Sequence, residues 1–300
     1  MRYITYAAGL ASVLASLVSA QDMSKSMLED NATKVSDHIY MMTGFPNVAI
    51  VIGDTGTLVV DTGLGPRNGA VVAQVAKRLS KGSQLYLTTT HFHPEHAGGE
   101  AGFPANTILI RPAVQQEEMA KNGDQMIAMF SKMSAQNAEL LKGVKMRLPD
   151  IIFDSEATVQ LGGGVSVRLL WFGAAHTKGD ELIFVEPDKT LISGDVVQNK
   201  VVPAVVGEGS AKSWLSVLDK IVPLGARIVV PDHSPVGDGS LVAAERAFII
   251  DARTRALALK AQGVPVDTAS QQLVEEFKSK YRDWPNMAPL ARFVQSVYAE

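Results

Sequence analysis

The feature that most constrains this chain is a cluster of histidines and glutamates at the end of a β-type segment. The sequence HFHPEHAGGE occupies residues 91–100 and directly follows the segment 84–90, which has the composition of a strand. Strand periodicity places His91 and His93 on one face, and Pro94 then ends the extended chain. Three of the six histidines stand here. The cluster predicts a metal site at the end of a strand.

The other candidate ligands also follow predicted strands. His176, Asp195 and His233 each come a few residues after a buried β-type segment. Loops at strand ends commonly gather to form sites, whereas histidines scattered over a surface would not share this placement. We therefore expect one centre that includes five of the six histidines. The sixth, His38, lies outside the pattern.

The composition limits the chemistry of this centre and the class of partner. The chain contains no cysteine, so any metal must be held by imidazole and carboxylate groups. A net charge of −3 gives no basic footprint for nucleic acid. We therefore expect a small-molecule substrate and no nucleic-acid partner. The oligomeric state stays open.

The order of apolar segments predicts the fold class. Two β-type segments, 47–52 and 57–61, flank a Gly-Asp-Thr-Gly turn and predict a hairpin. The order continues as helix and strands, then strands, helix and strand, and ends in helices. Two such halves predict an α/β protein whose sheets stack with helices outside. Further strands are predicted over 84–90, 107–111, 158–161, 165–172, 181–185, 190–192 and 227–230, and helices over 68–79 and 210–224.

Three regions are expected along the chain. Residues 1–20 have one arginine, a short apolar run and a Val18-Ser19-Ala20 ending, as in a secretory signal peptide. The apolar run is short for a membrane span, so we expect cleavage, export to a periplasmic or secreted location, and no membrane association afterwards. Residues 21–240 are expected to form the catalytic domain. Residues 241–300 are expected to form a helical extension packed on it.

The segment 112–145 has helical periodicity and leaves two interpretations open. Met126, Met129, Phe130 and Met133 share one helix face. This face either packs on the core or forms a methionine-lined lid over an apolar substrate pocket.

The motif residues carry a family resemblance. His91-x-His93-x-Glu95-His96, followed in order by His176, Asp195 and His233, resembles the metallo-β-lactamase superfamily over about residues 38–240. The resemblance implies a four-layer αββα sandwich with two zinc ions in the cleft between the sheets; iron and manganese are the alternatives.

The resemblance also implies a role for each ligand. His91, His93 and His176 would hold the first metal ion. Glu95, His96 and His233 would hold the second, and Asp195 would bridge the two. Asp61, in Val59-Val60-Asp61-Thr62-Gly63, either orients a ligand or caps its strand.

Glu95 is a departure, because the superfamily pattern is HxHxDH. The longer side chain leaves three alternatives open. The loop adjusts and Glu95 binds the second metal; the second metal binds weakly; or Glu95 serves as a general acid or base.

The resemblance implies hydrolysis by a metal-bound hydroxide, with Glu95 and Asp195 as the catalytic carboxylates. The expected bond is an ester, lactone, thioester or cyclic amide. An aspartate at position 195 resembles the lactonases and thioesterases of the superfamily, whereas its β-lactamases tend to carry cysteine or serine there. A true β-lactamase is one alternative, favoured by export. A non-catalytic metal-binding module of a periplasmic system is another.

Overall fold

The structure is a computed structural model that describes residues 26–300. The expected signal peptide over residues 1–20 lies outside the described residues. Within residues 26–300, no helix combines the length and apolar character needed to cross a bilayer.

The first sheet has seven strands whose spatial order follows the chain. Strands β1 to β4 pair antiparallel, and β4 to β7 pair parallel. The predicted hairpin is confirmed, since Ile52 pairs with Thr57 across the Gly53–Gly56 turn. The strands are β1 Thr33–Lys34, β2 Ile39–Met42, β3 Val48–Ile52, β4 Gly56–Val60, β5 Gln84–Thr88, β6 Ile108–Pro112 and β7 Ile151–Phe153.

The second sheet has six strands in the reverse spatial order, from β13 at one edge to β8 at the other. All neighbours are antiparallel except β11 and β12, which are parallel. The strands are β8 Glu156–Gly162, β9 Val165–Trp171, β10 Glu181–Val185, β11 Thr190–Gly194, β12 Ile228–Pro231 and β13 Gly237–Asp238.

The helices begin where local signals favour it. Helix α1 has a proline in its first turn, where the missing N–H costs nothing. Helix α5 begins at a capping box formed by Ser210 and Ser213. The helices are α1 Pro66–Leu79, α2 Pro94–Ala97, α3 Ala113–Ser131, α4 Ala135–Leu140, α5 Ala211–Ile221, α6 Ser240–Ala261, α7 Val266–Lys280 and α8 Leu290–Ala299.

Three apolar cores separate four layers and confirm the αββα sandwich. Neighbouring residues of β3 show the arrangement: Val51 points into the core between the sheets, and Ile50 points into the core under α1. This alternation follows from the two-residue period of a strand. A third core joins the outer face of the second sheet to α5 and to the C-terminal helices, through Trp214, Phe248 and Phe293.

The strand directions bring the candidate ligands to one edge of the sandwich. Strands β4 and β5 run parallel in the first sheet, so the residues after them, Asp61 and His91, lie side by side. Strands β11 and β12 run parallel in the second sheet, so Asp195 and His233 also follow neighbouring strand ends. The cleft between these two pairs of strand ends is the candidate site.

The methionine face of α3 has both buried and exposed residues. Phe130 is buried with Leu64 and Leu140, as the packing interpretation predicts. Met129 and Met133 are 46% and 59% exposed. The face therefore packs on the protein at Phe130 and, in part, at Met126, and is open to solvent at Met129 and Met133.

Candidate metal centre

The motif loop places its side chains through the short helix α2. The carbonyl of His93 accepts hydrogen bonds from the backbone N–H groups of His96 and Ala97, at 3.0 and 2.9 Å. Pro94 occupies the first helical position. This turn directs Glu95 and His96 into the cleft, and both are buried.

Three imidazoles converge on one point. His91 Nε2 lies 2.9 Å from His93 Nδ1, which lies 3.4 Å from His176 Nε2. Tetrahedral ligands about 2.0–2.1 Å from a zinc ion are roughly 3.3 Å apart. The observed separations bracket that value, so these three nitrogens fit a single zinc ion.

His176 is fixed in the tautomer that such a role requires. Its Nδ1 lies 2.6 Å from the carbonyl oxygen of Ala204, which can only accept, so Nδ1 carries the hydrogen. Nε2 therefore presents its lone pair to the cleft. The His176 carbonyl in turn accepts from the Val206 N–H at 2.8 Å.

A second group of ligand atoms lies beside the first. Oε1 of Glu95 is 3.8 Å from Nε2 of His96, and His233 completes the group. Within the described residues, Glu95 Oε2 and His96 Nε2 are buried with no hydrogen-bond partner. Buried polar atoms are normally satisfied, so this pair fits a cation between them.

Asp195 lies between the two groups. Its Oδ2 is 3.4 Å from His176 Nε2, and its Oδ1 is 3.4 Å from His233 Nε2. Burial alone would raise the pKa of Asp195, but the imidazoles of His233 and His176 lower it to about 2. One ionised carboxylate thus faces both groups of ligands.

Two carboxylates lie behind His96. Its Nδ1 is 3.1 Å from Asp61 Oδ2 and 3.3 Å from Asp232 Oδ2. Burial would lower the pKa of His96, but the negative charge of Asp61 and the hydrogen bond to Asp232 raise it well above the usual value. A histidine held in this way keeps its Nδ1 hydrogen and turns Nε2 toward the cleft.

Asp61 adopts a backbone conformation that directs its side chain to this position. Its φ angle is +71°, a left-handed value that is uncommon outside glycine but tolerated by aspartate. The carboxylate also accepts from the Thr90 N–H at 2.7 Å. Asp61 therefore both follows its strand and holds the motif loop against β4.

Burial is the main cause of the pKa shifts of the remaining titratable groups in the site. Burial lowers the pKa of His91, of His93 and of His233, which keeps these imidazoles neutral and able to donate a lone pair to a metal. Burial raises the pKa of Glu95 to about 7.

The sequence did not point to two residues of the site. Asp232 contacts His96 and accepts from the Thr90 hydroxyl at 3.1 Å; its place directly after a buried strand, like that of Asp61, was the available signal. Gln198 contacts Asp195, and no sequence pattern marks it. His38 lies apart from the cluster and pairs with Asp188 at 2.5 Å.

A known protein family matches the part of the chain that contains the candidate ligands. The sequence profile of the metallo-beta-lactamase superfamily matches residues 42–233. The chain belongs to this superfamily. The matched segment includes every candidate ligand from His91 to His233.

Solved structures share the fold at low sequence identity. A metallo-beta-lactamase from Pontibacter korlensis is 21% identical, with a TM-score of 0.61 over 75% of this chain and 99% of that one. The DIM-1 metallo-beta-lactamase is 17% identical, with a TM-score of 0.58 over 75% of this chain and 99% of that one.

An enzyme of different activity is also similar in structure. The inverting sec-alkylsulfatase Pisa1 from Pseudomonas sp. is 16% identical, with a TM-score of 0.67 over 89% of this chain. The match spans 49% of the alkylsulfatase. At these identities the comparisons show the fold of this chain.

Proposed function

We propose that this chain is a metal-dependent hydrolase with two zinc ions. The observation that carries the proposal is the position of Asp195, whose two carboxylate oxygens each lie 3.4 Å from a histidine of a different ligand group. A carboxylate between two groups of imidazoles fits a bridging ligand.

Each ligand has a proposed role. His91, His93 and His176 hold the first ion, and Glu95, His96 and His233 hold the second. The set consists of imidazole and carboxylate donors, which suit zinc. The carbonyl of Ala204 and the carboxylate of Asp61 orient His176 and His96 from behind.

Zinc ions at this position would supply Lewis acidity and a nucleophile at neutral pH. The protein's own residues hold the ligand nitrogens with their lone pairs toward the cleft and exclude bulk water from all but its mouth. Asp195 and His233 form part of that mouth, since 15% and 16% of their side chains are exposed.

We assign Glu95 to the second ion rather than to proton transfer. Its Oε1 lies on the His96 side of the cleft, and its Oε2 is buried without a partner in the part of the chain that the structure describes. The geometry favours the first of the three alternatives for this residue.

The proposed substrates are esters, lactones and thioesters. The β-lactamases of the superfamily tend to carry cysteine or serine at the position of Asp195. We therefore rank β-lactams below esters, lactones and thioesters as substrates. Export with cleavage after Ala20 belongs to the same proposal and rests on the sequence of residues 1–20.

The proposal is tested with zinc-loaded protein and a panel of chromogenic esters, lactones, thioesters and a cephalosporin. We expect turnover of at least one ester, lactone or thioester, and a loss of that turnover to background in His93→Ala. Zinc content is measured in both proteins, so that a loss of activity is matched to a loss of metal.

Three outcomes would change the account. Equal activity in His93→Ala would eliminate the metal mechanism. Turnover of the cephalosporin alone would favour a β-lactamase. Full zinc occupancy with no turnover of the panel would favour a non-catalytic metal-binding module.

A further inference from the structure

A cavity of about 510 Å³ lies between α3 and the loop at Val206. Its volume falls within the roughly 300–1,000 Å³ typical of small-molecule sites. Apolar side chains of Phe92, Met126, Ala128, Met129 and Val206 line it, together with the polar side chains of Asn122, Gln125 and Lys132.

Two walls of this cavity are connected to the first group of metal ligands. Phe92 stands between His91 and His93 in the chain, and its ring centroid is 5.0 Å from that of His93. The N–H of Val206 donates to the carbonyl of His176 at 2.8 Å. The cavity therefore borders the metal centre on the side of the first ion.

The lining is suited to an apolar ligand. Phe92, Met126, Met129 and Val206 supply aromatic, thioether and aliphatic surface. Methionine adapts its shape to unbranched chains because it is flexible and polarisable. Glu118 is the acidic residue of the lining, and its carboxylate already accepts from the N–H groups of Lys178 and Gly179 at 3.2 and 2.9 Å.

A second cavity, of about 620 Å³, borders the other side of the centre and includes His233. Polar side chains such as Lys34, Thr43 and Asn47 and apolar ones such as Met41 and Val236 line it. Of the two cavities, the one at Phe92 combines an aromatic ring with two flexible methionines, so the apolar part of a substrate fits there.

We propose that the cavity of Phe92, Met126 and Met129 binds an unbranched apolar acyl chain, and that the enzyme prefers medium-chain over short-chain esters and thioesters. This inference rests on the proposed hydrolase function. Binding of the chain places the carbonyl carbon at the metal centre, and each buried methylene favours binding because its surface leaves water.

The test compares p-nitrophenyl octanoate with p-nitrophenyl acetate. We expect the zinc-loaded wild type to show the higher kcat/KM for octanoate. Met129→Glu introduces a charge into the cavity and should reduce the octanoate-to-acetate ratio of kcat/KM about tenfold or more. Met133→Glu is the matched control, since Met133 is exposed and outside the cavity lining.

A binding measurement separates this inference from the hydrolase proposal. We expect 1-octanol, an uncharged probe, to bind the wild type in calorimetric titration, and to bind Met129→Glu at least tenfold more weakly than Met133→Glu. Ala128→Trp, which fills the cavity without a charge, should weaken octanol binding in the same way and serves if Met129→Glu does not fold.

The outcomes distinguish the two proposals. Ester hydrolysis without an octanoate preference, or with equal effects of Met129→Glu and Met133→Glu, would overturn the chain-binding cavity and leave the hydrolase standing. Octanol binding that depends on Met129, in a protein that hydrolyses none of the panel, would support the cavity and overturn the hydrolase. No octanol binding by the wild type would overturn the cavity.

Discussion

The side-chain amide of Gln198 donates to Oδ1 of Asp195 at 2.9 Å, and its carbonyl oxygen accepts from the backbone N–H of His233 at 3.3 Å. The same oxygen accepts from the Ser234 hydroxyl at 2.7 Å. Gln198 thus links the loops that follow β11 and β12. It fixes the carboxylate of Asp195, the proposed bridging ligand, relative to His233.

Replacement of this link should weaken metal binding. We expect Gln198→Ala to lower zinc affinity or activity about 10- to 100-fold, the usual cost of removing a partner behind a metal ligand. Competition with a chromogenic chelator measures the affinity. Asn199→Ala is the control, because within residues 26–300 its partly exposed side chain makes a single hydrogen bond, to the Pro235 carbonyl. Equal affinities in the two variants would contradict a positioning role for Gln198.

A buried carboxyl away from the ligands should make stability depend on pH. Burial raises the pKa of Glu181 well above its usual value, so there is a pH range in which the folded protein keeps a proton at Glu181 that the unfolded chain has lost. Both oxygens lie 2.8 Å from the Thr88 hydroxyl, which also donates to the Ile110 carbonyl at 2.9 Å. A protonated carboxyl can donate to that hydroxyl, which completes the chain of hydrogen bonds.

The direction in which stability changes with pH follows from the number of protons that Glu181 binds in the folded and the unfolded state. The folded state binds one more proton at Glu181, so its contribution to stability is present below the unfolded pKa and decreases by about 1.4 kcal/mol per pH unit up to the folded pKa. We expect Glu181→Gln to remove this slope. Urea denaturation of both proteins at pH 5 and pH 8 measures it. Parallel pH dependence in wild type and variant would show that Glu181 is ionised in the folded protein.

The second glutamate of the motif has a structural role. Glu100 is buried and pairs with the buried guanidinium of Arg111, and it also accepts from the Arg147 N–H at 2.8 Å. Because Glu100→Ala would leave a buried charge unpaired, we expect a loss of about 3–5 kcal/mol of unfolding free energy. The exposed pair of Lys278 and Glu275 is the control, where Glu275→Ala should cost at most about 1 kcal/mol. Similar midpoints in denaturant would contradict the assignment.

The sequence of residues 1–20 predicts one processing event. In a secretory host we expect cleavage after Ala20, so that the mature chain begins at Gln21. N-terminal sequencing and intact mass of the exported protein measure this directly. Retention in the cell with an intact N-terminus would contradict export.

The features that the sequence predicted well are local in origin. The β3–β4 hairpin follows from alternating apolar residues around a glycine-rich turn, and α1 follows from its apolar stripe. The candidate ligands follow from their positions after buried strands. The short strand β7 was missed because Ile151 and Ile152 are exposed at a sheet edge and lack the alternation of a half-buried strand.

The features that the sequence could not predict depend on partners far along the chain. The contact of Gln198 with His233 joins the loops after β11 and β12 through two residues that are 35 positions apart in the sequence. A side chain on Gly99 would lie 2.7 Å from the Thr62 carbonyl oxygen, so this glycine allows the motif loop to pack against the loop after β4.

Metal content tests the central claim most directly. Wild-type protein and Glu95→Asp are loaded with zinc, freed of unbound metal and measured by inductively coupled plasma mass spectrometry. We predict two zinc ions per chain in both proteins, because the carboxylate of Glu95 lies within the second ligand group. One ion in the wild type that rises to two in Glu95→Asp would contradict the assignment of Glu95, and no bound zinc in either protein would contradict the metal centre itself.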